Sequence, residues 1–160
     1  MVKDMKRYLK WIIVLFAFAN LIIAWFYMQY KTELANRGKI YTVNLTAYSD
    51  SNCTNIIEAI DWGNFTVNCS KTITIYLKNT GGLPVNITWY TGNWTFYSYN
   101  GSEVTVDNVT DYILVELVTA EYLDVNEVSP CTITLTVKDV DYIPFYRFEF
   151  TIYIVGTYYA

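Results

Sequence analysis

The sequence predicts an all-β domain behind one N-terminal transmembrane helix, on three observations. An uncharged apolar run fills positions 11–28. Beyond residue 40 apolar residues recur with period two in run after run, broken by turns rich in Asn, Gly and Pro. No amphipathic helical pattern follows the first run.

The run Trp11 to Met28 reads WIIVLFAFANLIIAWFYM, with Asn20 its one polar member. As a helix it spans about 27 Å, close to the hydrocarbon thickness of a bilayer. Trp11 stands at one end and Trp25, Phe26 and Tyr27 at the other, as in an aromatic belt. Asn20 reads as a tolerated polar residue or a helix–helix contact. Lys3, Lys6, Arg7 and Lys10 crowd the amino side against Asp4 alone, whereas Lys31, Arg37 and Lys39 beyond the run are offset by Glu33. The positive-inside rule therefore puts the amino terminus in the cytoplasm. A cleaved signal peptide is the rival, but residues 28–36 (MQYKTELAN) lack a small-x-small cleavage site. Lys10-Trp11 also lacks the small residue that a pilin-type cut needs. The expected organisation is a cytoplasmic tail (1–10), an uncleaved anchor in the lipid bilayer (11–28), a stalk (29–39) and an extracellular domain (40–160).

The strands of that domain follow from alternation. KTITIYLKN turns Ile73, Ile75 and Leu77 inward and its threonines outward. YILVELV aligns Ile113, Val115 and Leu117; CTITLTVK aligns Ile133, Leu135 and Val137; FYRFEFTIYIVG aligns Phe148, Phe150, Ile152 and Ile154. YTVNLTAY reads as one strand with Tyr41, Val43, Leu45 and Ala47 on one face, and VNITW turns Val85, Ile87 and Trp89 one way. Turns are expected at 49–52, 62–64, 79–84, 99–102 and 128–130, the 79–84 turn drawing left-handed conformations from Asn79-Thr80-Gly81-Gly82. Seven or eight short antiparallel strands, each apolar on one face, predict an immunoglobulin-like or jelly-roll-type β-sandwich.

Eight asparagines begin Asn-x-Ser/Thr: Asn44, Asn52, Asn64, Asn68, Asn86, Asn93, Asn100 and Asn108. They are eight of the eleven asparagines beyond residue 40, where chance pairing with Ser or Thr gives roughly two. A Thr-rich strand composition with Asn in its turns accounts for part of this excess. In the strand reading Asn44 and Asn86 face away from the apolar side, as a glycan requires. The sequons thus point to N-linked glycans and to an extracellular domain.

Cys53, Cys69 and Cys131 lie in that domain, where a pair is expected to oxidise. Cys69 and Cys131 each precede a strand of similar pattern, and facing strands would allow a bridge worth about 4 kcal/mol. Cys53–Cys69 is the alternative.

Other features exclude functions. There is no histidine, which removes Ser-His-Asp and Cys-His chemistry and His-ligated metal sites; no catalytic residue, cofactor or enzyme activity is expected. Residues 1–39 carry seven Lys/Arg against two acids and residues 40–160 four against thirteen, so the acidic body does not suit nucleic acid. Asp107, Asp111, Asp139 and Asp141 are candidates for Ca²⁺, with a solvated acidic surface the plainer reading. Trp94, Tyr97 and Tyr99 are candidates for an exposed aromatic platform that binds sugar or a partner chain.

The runs AYSDSNC, IDWGNF and TITIYLKNTGGLPVNITW, followed by VSPCTITLT, resemble archaeal cell-surface β-sandwich proteins. The shared pattern is Ile60-Asp61-Trp62-Gly63 ahead of a strand ending Lys78-Asn79-Thr80-Gly81, and it covers most of residues 41–155. Asn68-Cys69 stands where that group usually has a Pro-Gly turn. The resemblance extends to filament-forming thread and bundling-pilus subunits, and implies contacts with other copies of the chain or with other envelope proteins. Trp62-Gly63 itself reads as a packing residue and a turn. Three function classes follow: a structural or interaction protein of the cell surface, an accessory subunit of a membrane complex, and a receptor-like module for carbohydrate or another surface.

Overall fold

A computed structural model describes residues 34–158 of the chain; the basic tail, the apolar run 11–28 and the first part of the stalk lie outside the described residues. The described residues are all-β. Ten strands occur, β1 (Leu34–Val43), β2 (Leu45–Tyr48), β3 (Ala59–Phe65), β4 (Cys69–Asn79), β5 (Val85–Tyr97), β6 (Glu103–Val104), β7 (Ile113–Val118), β8 (Tyr122–Leu123), β9 (Val128–Val137) and β10 (Arg147–Tyr158), with one 3-10 turn at Val109–Asp111. One sheet has the order β3-β1-β10-β5-β6, with β8 also on β5; the other has the order β2-β4-β9-β7.

The two sheets pack over one apolar core. Ile75 and Leu77 of β4, Ile133 and Leu135 of β9, and Phe148, Ile152 and Ile154 of β10 are fully buried, on the parity that alternation predicts. Ile73, Val115 and Leu117 are only partly covered, towards the margins. Threonines face out, and those of β4 and β9 pair across the strands: Ser70 with Thr136 at 2.7 Å and Thr72 with Thr134 at 3.0 Å.

Several details depart from the sequence reading, among them the expected turns at 62–64 and 128–130, which fall within β3 and β9. Residues 34–39, expected as stalk, belong to β1, which lies between β3 and β10. β1 runs parallel to β10 while every other pair is antiparallel. A parallel neighbour needs a long connection, and here nearly the whole domain supplies it. YTVNLTAY is not one strand. Asn44 takes φ +57°, and the chain passes there from the β1 sheet to the β2 sheet, so buried Ile40 and buried Leu45 sit on opposite parities. Gly81 and Gly82 are not left-handed; the positive φ values fall at Gly63, Gly101, Cys53 and four asparagines, Asn44, Asn68, Asn93 and Asn126.

Trp62 is buried, as a packing residue should be, but Gly63, with φ +63° where the β1–β3 ladder shifts register, marks a bulge inside β3 and not a turn. Gly38 on β1 faces the indole so closely that a Cβ there would stand 2.9 Å from Trp62 Nε1.

Two buried asparagines behave oppositely. Asn79, with no exposed surface, is fully used. Its Nδ2 donates to the carbonyls of Leu83 (2.9 Å) and Leu123 (3.2 Å), its Oδ1 accepts from Gly81 N (2.9 Å), and its backbone bonds to Glu127 O (3.0 Å) and Asn126 N (3.1 Å). Asn36 on β1 is 2 % exposed, and neither its Oδ1 nor its Nδ2 has a hydrogen-bond partner.

These two sites set opposite expectations. Asn79→Ala removes three side-chain bonds and strands buried polar groups, for a loss of about 3 kcal/mol or more. Asn36→Val removes an unsatisfied buried amide and suits a strand, for a gain of about 1–2 kcal/mol. Urea unfolding of both variants tests the pair, and a destabilised Asn36→Val would show that the amide has a role in folding.

Candidate glycan-bearing and interaction surface

The eight sequon asparagines are spread over one half of the described chain. Asn44 is at the corner between β1 and β2, Asn52 in the turn before β3, Asn64 on β3, and Asn68 in the turn before β4. Asn86 and Asn93 lie on β5, Asn100 in the turn before β6, and Asn108 caps the 3-10 turn. Seven are exposed, Asn86 is half-buried, and none is buried. By contrast, the two buried asparagines, Asn36 and Asn79, do not begin sequons.

Several of these asparagines also have local backbone work. Asn44, Asn68 and Asn93 occupy the left-handed region, which asparagine tolerates better than most residues. Asn100 Oδ1 accepts from Ser102 N at 3.0 Å, and Asn108 Oδ1 accepts from Thr110 N at 3.3 Å. Asn52 sits at the tip of a turn organised by Asp50, whose carboxylate accepts from Thr54 N and Asn55 N. Desolvation raises the Asp50 pKa, but those hydrogen bonds outweigh it and hold the carboxyl below its ordinary value. Backbone geometry explains an asparagine at these places, and some of the hydroxyls two residues on are also used locally, Thr110 Oγ1 donating to Asn108 Oδ1 at 2.8 Å.

The expected Cys69–Cys131 bridge is not formed, and all three cysteines are free. β4 and β9 are neighbours in one sheet rather than facing strands, with Cys69 opposite Val137 and Cys131 opposite Ile75. That register offset separates the two by about 20 Å along the strands, against the 4–7 Å between Cα atoms that a disulfide needs. The Cys53 turn adjoins Tyr48, which pairs with Tyr76 towards the other end of β4 from Cys69. Cys131 is fully buried, and burial pushes its thiol up to about 12.

The aromatic candidates divide. β5 turns Val85 inward at its start and Phe96 inward at its end, a change of parity made by the bulge at Gly92 and Asn93. The same change turns Trp94 inward, where it stacks on Phe150 with centroids 4.3 Å apart; Trp94 is thus part of the core margin, not of an exposed platform. Tyr97 is half-buried beneath the Arg147 guanidinium, 4.1 Å from its ring centroid. Tyr99 is 85 % exposed and meets Tyr146 edge-on at 5.1 Å. The three do not form a single surface. Among the described residues no cluster of three or more Cys, Asp or Glu could hold a metal ion, so Asp107, Asp111, Asp139 and Asp141 do not gather.

Two features were not legible in the sequence. The first is a groove of about 370 Å³ on the outer face of the β3-β1-β10-β5 sheet, lined by Arg37, Lys39, Glu58, Asn93, Thr95 and Glu149 among others. It joins residues from four strands remote in sequence, so alternation marks each as outward without placing them together. The second is the state of the sheet edges. On β3, the Lys71 ammonium occupies the carbonyls of Trp62 (2.8 Å) and Asn64 (2.6 Å). On β7, Lys138 N donates to Tyr112 O at 2.8 Å, which fixes the alternation of the β7–β9 ladder. The backbone groups of Ile113, Val115 and Leu117 therefore point away from β9, to an edge with no strand partner among the described residues.

Compared with protein-family models, curated proteins and solved structures, the chain has no match.

The thiols give a direct test of this geometry. Alkylation of the folded protein at pH 8 should label Cys53 and Cys69 and spare Cys131 until denaturant is added. The sign of the pH dependence also follows: the folded state holds the Cys131 proton more tightly than the unfolded state. Its contribution to stability is thus constant below the ordinary thiol pKa and falls as pH rises towards 12. Equal labelling of all three thiols in the folded protein would contradict the burial of Cys131.

Proposed function

We propose that the chain is a non-enzymatic, N-glycosylated protein of the cell surface, anchored by the apolar run 11–28 with its β-domain outside. In this reading the fold is an immunoglobulin-like sandwich, and the protein serves as a structural or interaction subunit of a filament or envelope lattice. The observation that carries it is the separation among asparagines: none of the eight sequon residues is buried, while the two buried asparagines lie outside sequons. A pairing of Asn with Thr that arose from strand composition alone gives no reason for that separation.

Support for assembly comes from the edges. β7 is the longest edge strand whose outward groups lack a side-chain cap, and it bears no sequon. Leu114 and Val118 on it are exposed, Val118 by 71 %. Strand addition at β7 gives a neighbouring copy, or another envelope protein, a place to bond without displacing a glycan. The resemblance of IDWG and KNTG to archaeal thread and bundling-pilus proteins favours a second copy. An accessory role in a membrane complex is the second reading. The exposed Tyr99, edge-on to the half-buried Tyr146, is what a receptor-like reading would use.

The test is extraction of the native protein in mild detergent, followed by sizing and mass spectrometry. Assemblies of the same chain, each copy heavier than its polypeptide by several glycans, are the expected result. A bare polypeptide that protease cannot reach from outside intact cells would overturn the reading.

A further inference from the structure

We infer that the outer groove of the β3-β1-β10-β5 sheet is the seat of the protein's own glycan at Asn93, so that this glycan is held against the domain while the others project freely. The inference rests on the glycoprotein reading above and adds to it a site and an occupant.

Asn93 lies in the wall of the groove, and so does Thr95, the hydroxyl residue of the same sequon. A sugar attached at Asn93 therefore starts inside the groove, with no linker to order. The walls then offer what a polyol uses. Arg37 and Lys39 supply donors, and Glu58 and Glu149 supply acceptors, two charges of each sign. A free anion or cation would meet its own sign on one wall, whereas a neutral sugar bonds to both. The volume of about 370 Å³ is within the range of small-ligand sites, and the groove is open enough for the rest of a glycan to leave it.

The attachment point is itself oriented. Asn93 takes φ +52° in the β5 bulge, and its Nδ2 donates to Tyr153 Oη at 2.6 Å. Tyr153 is stacked on Tyr90 with centroids 4.7 Å apart and planes 12° from parallel, which fixes the phenol. Glycosylation leaves one hydrogen on the amide nitrogen, so the bond to Tyr153 can persist with the sugar in place. Gly92 beside it is constrained as well, since a Cβ there would come within 3.2 Å of the Tyr153 ring. A second hollow of about 290 Å³ adjoins the groove through Arg37 and Glu149 and is bordered by the sequon residue Asn64. Asn64 belongs to the β3 edge that Lys71 caps, and it borders this second hollow, not the groove itself.

The experiment is mild periodate oxidation of the full-length glycosylated protein from its native source, read site by site by mass spectrometry. Sugars at Asn93 should oxidise about tenfold more slowly than those at Asn52 and Asn100 on the turns, the protection that one or two net hydrogen bonds supply. The difference should vanish in urea. In the variant Glu58→Ala with Glu149→Ala, which keeps the sequon and removes outward side chains only, the Asn93 glycan should oxidise as fast as the rest. Equal rates in the folded wild type would overturn the inference. So would a bare Asn93 among occupied neighbours, with the glycoprotein reading left standing; eight bare sequons would overturn both.

Discussion

The connection from β4 to β5 carries the chain from one sheet to the other, and it depends on a single buried amide. Asn79 ends β4, reaches forward to Gly81 and Leu83 in the crossing, and reaches across to Leu123 on β8. Its backbone meets Asn126 and Glu127 in the turn before β9. Four segments, two on either side of β5 to β7 in the chain, are thus registered against one residue in the low-dielectric interior, where such bonds are strong and their loss is costly. The crossing in turn sets where β5 starts, and β5 is the strand on which β10, β6 and β8 are all built. Asn36 makes the contrast plain: an amide of the same type, equally buried, organises nothing around it.

Sequons, edges and core all bear on one constraint, the two-residue period of a strand. A strand in a two-sheet domain has an inner face for apolar packing and an outer face for everything else. Here the outer faces are divided further. The β5 side bears the sequons Asn86 and Asn93 and the charged groove, whereas the β4–β9 face is a ladder of hydrogen-bonded hydroxyls, one of them Ser70 of the Asn68 sequon.

Much of this was legible from alternation alone. Ile75, Leu77, Ile133, Leu135, Phe148 and Ile154 were placed by counting in twos, because their strands are regular from end to end. The reading failed where the backbone leaves that period. At Asn44 and Asn93 a left-handed residue changes the parity, and it does so without glycine, the residue that usually announces such a position. Trp94 was therefore assigned to the surface and Tyr41 to Ala47 to one strand. β1 was missed for another reason. Its inner positions Asn36 and Gly38 are not apolar, so LANRGKIY has no strand signature, and its partner β10 lies at the far end of the sequence. The cysteine pairing failed likewise, since similar patterns in β4 and β9 reveal that both are strands but not that they are neighbours.

The position of β1 has a mechanical consequence. The strand lies between β3 and β10, bonded along both sides, and it is the first described element after the segment read as the anchor. Tension drawn through residue 34 along the strand axis, with the rest of the domain held, slides β1 past two neighbours at once. Every ladder bond on both sides then bears load together, instead of parting one after another as in a peeled hairpin. A pull from the same end at right angles to the axis would open the ladders in turn. The domain is accordingly stiff to traction in one direction and yielding in another, and the direction of strength is set by a strand with Asn36 and Gly38 at inward positions.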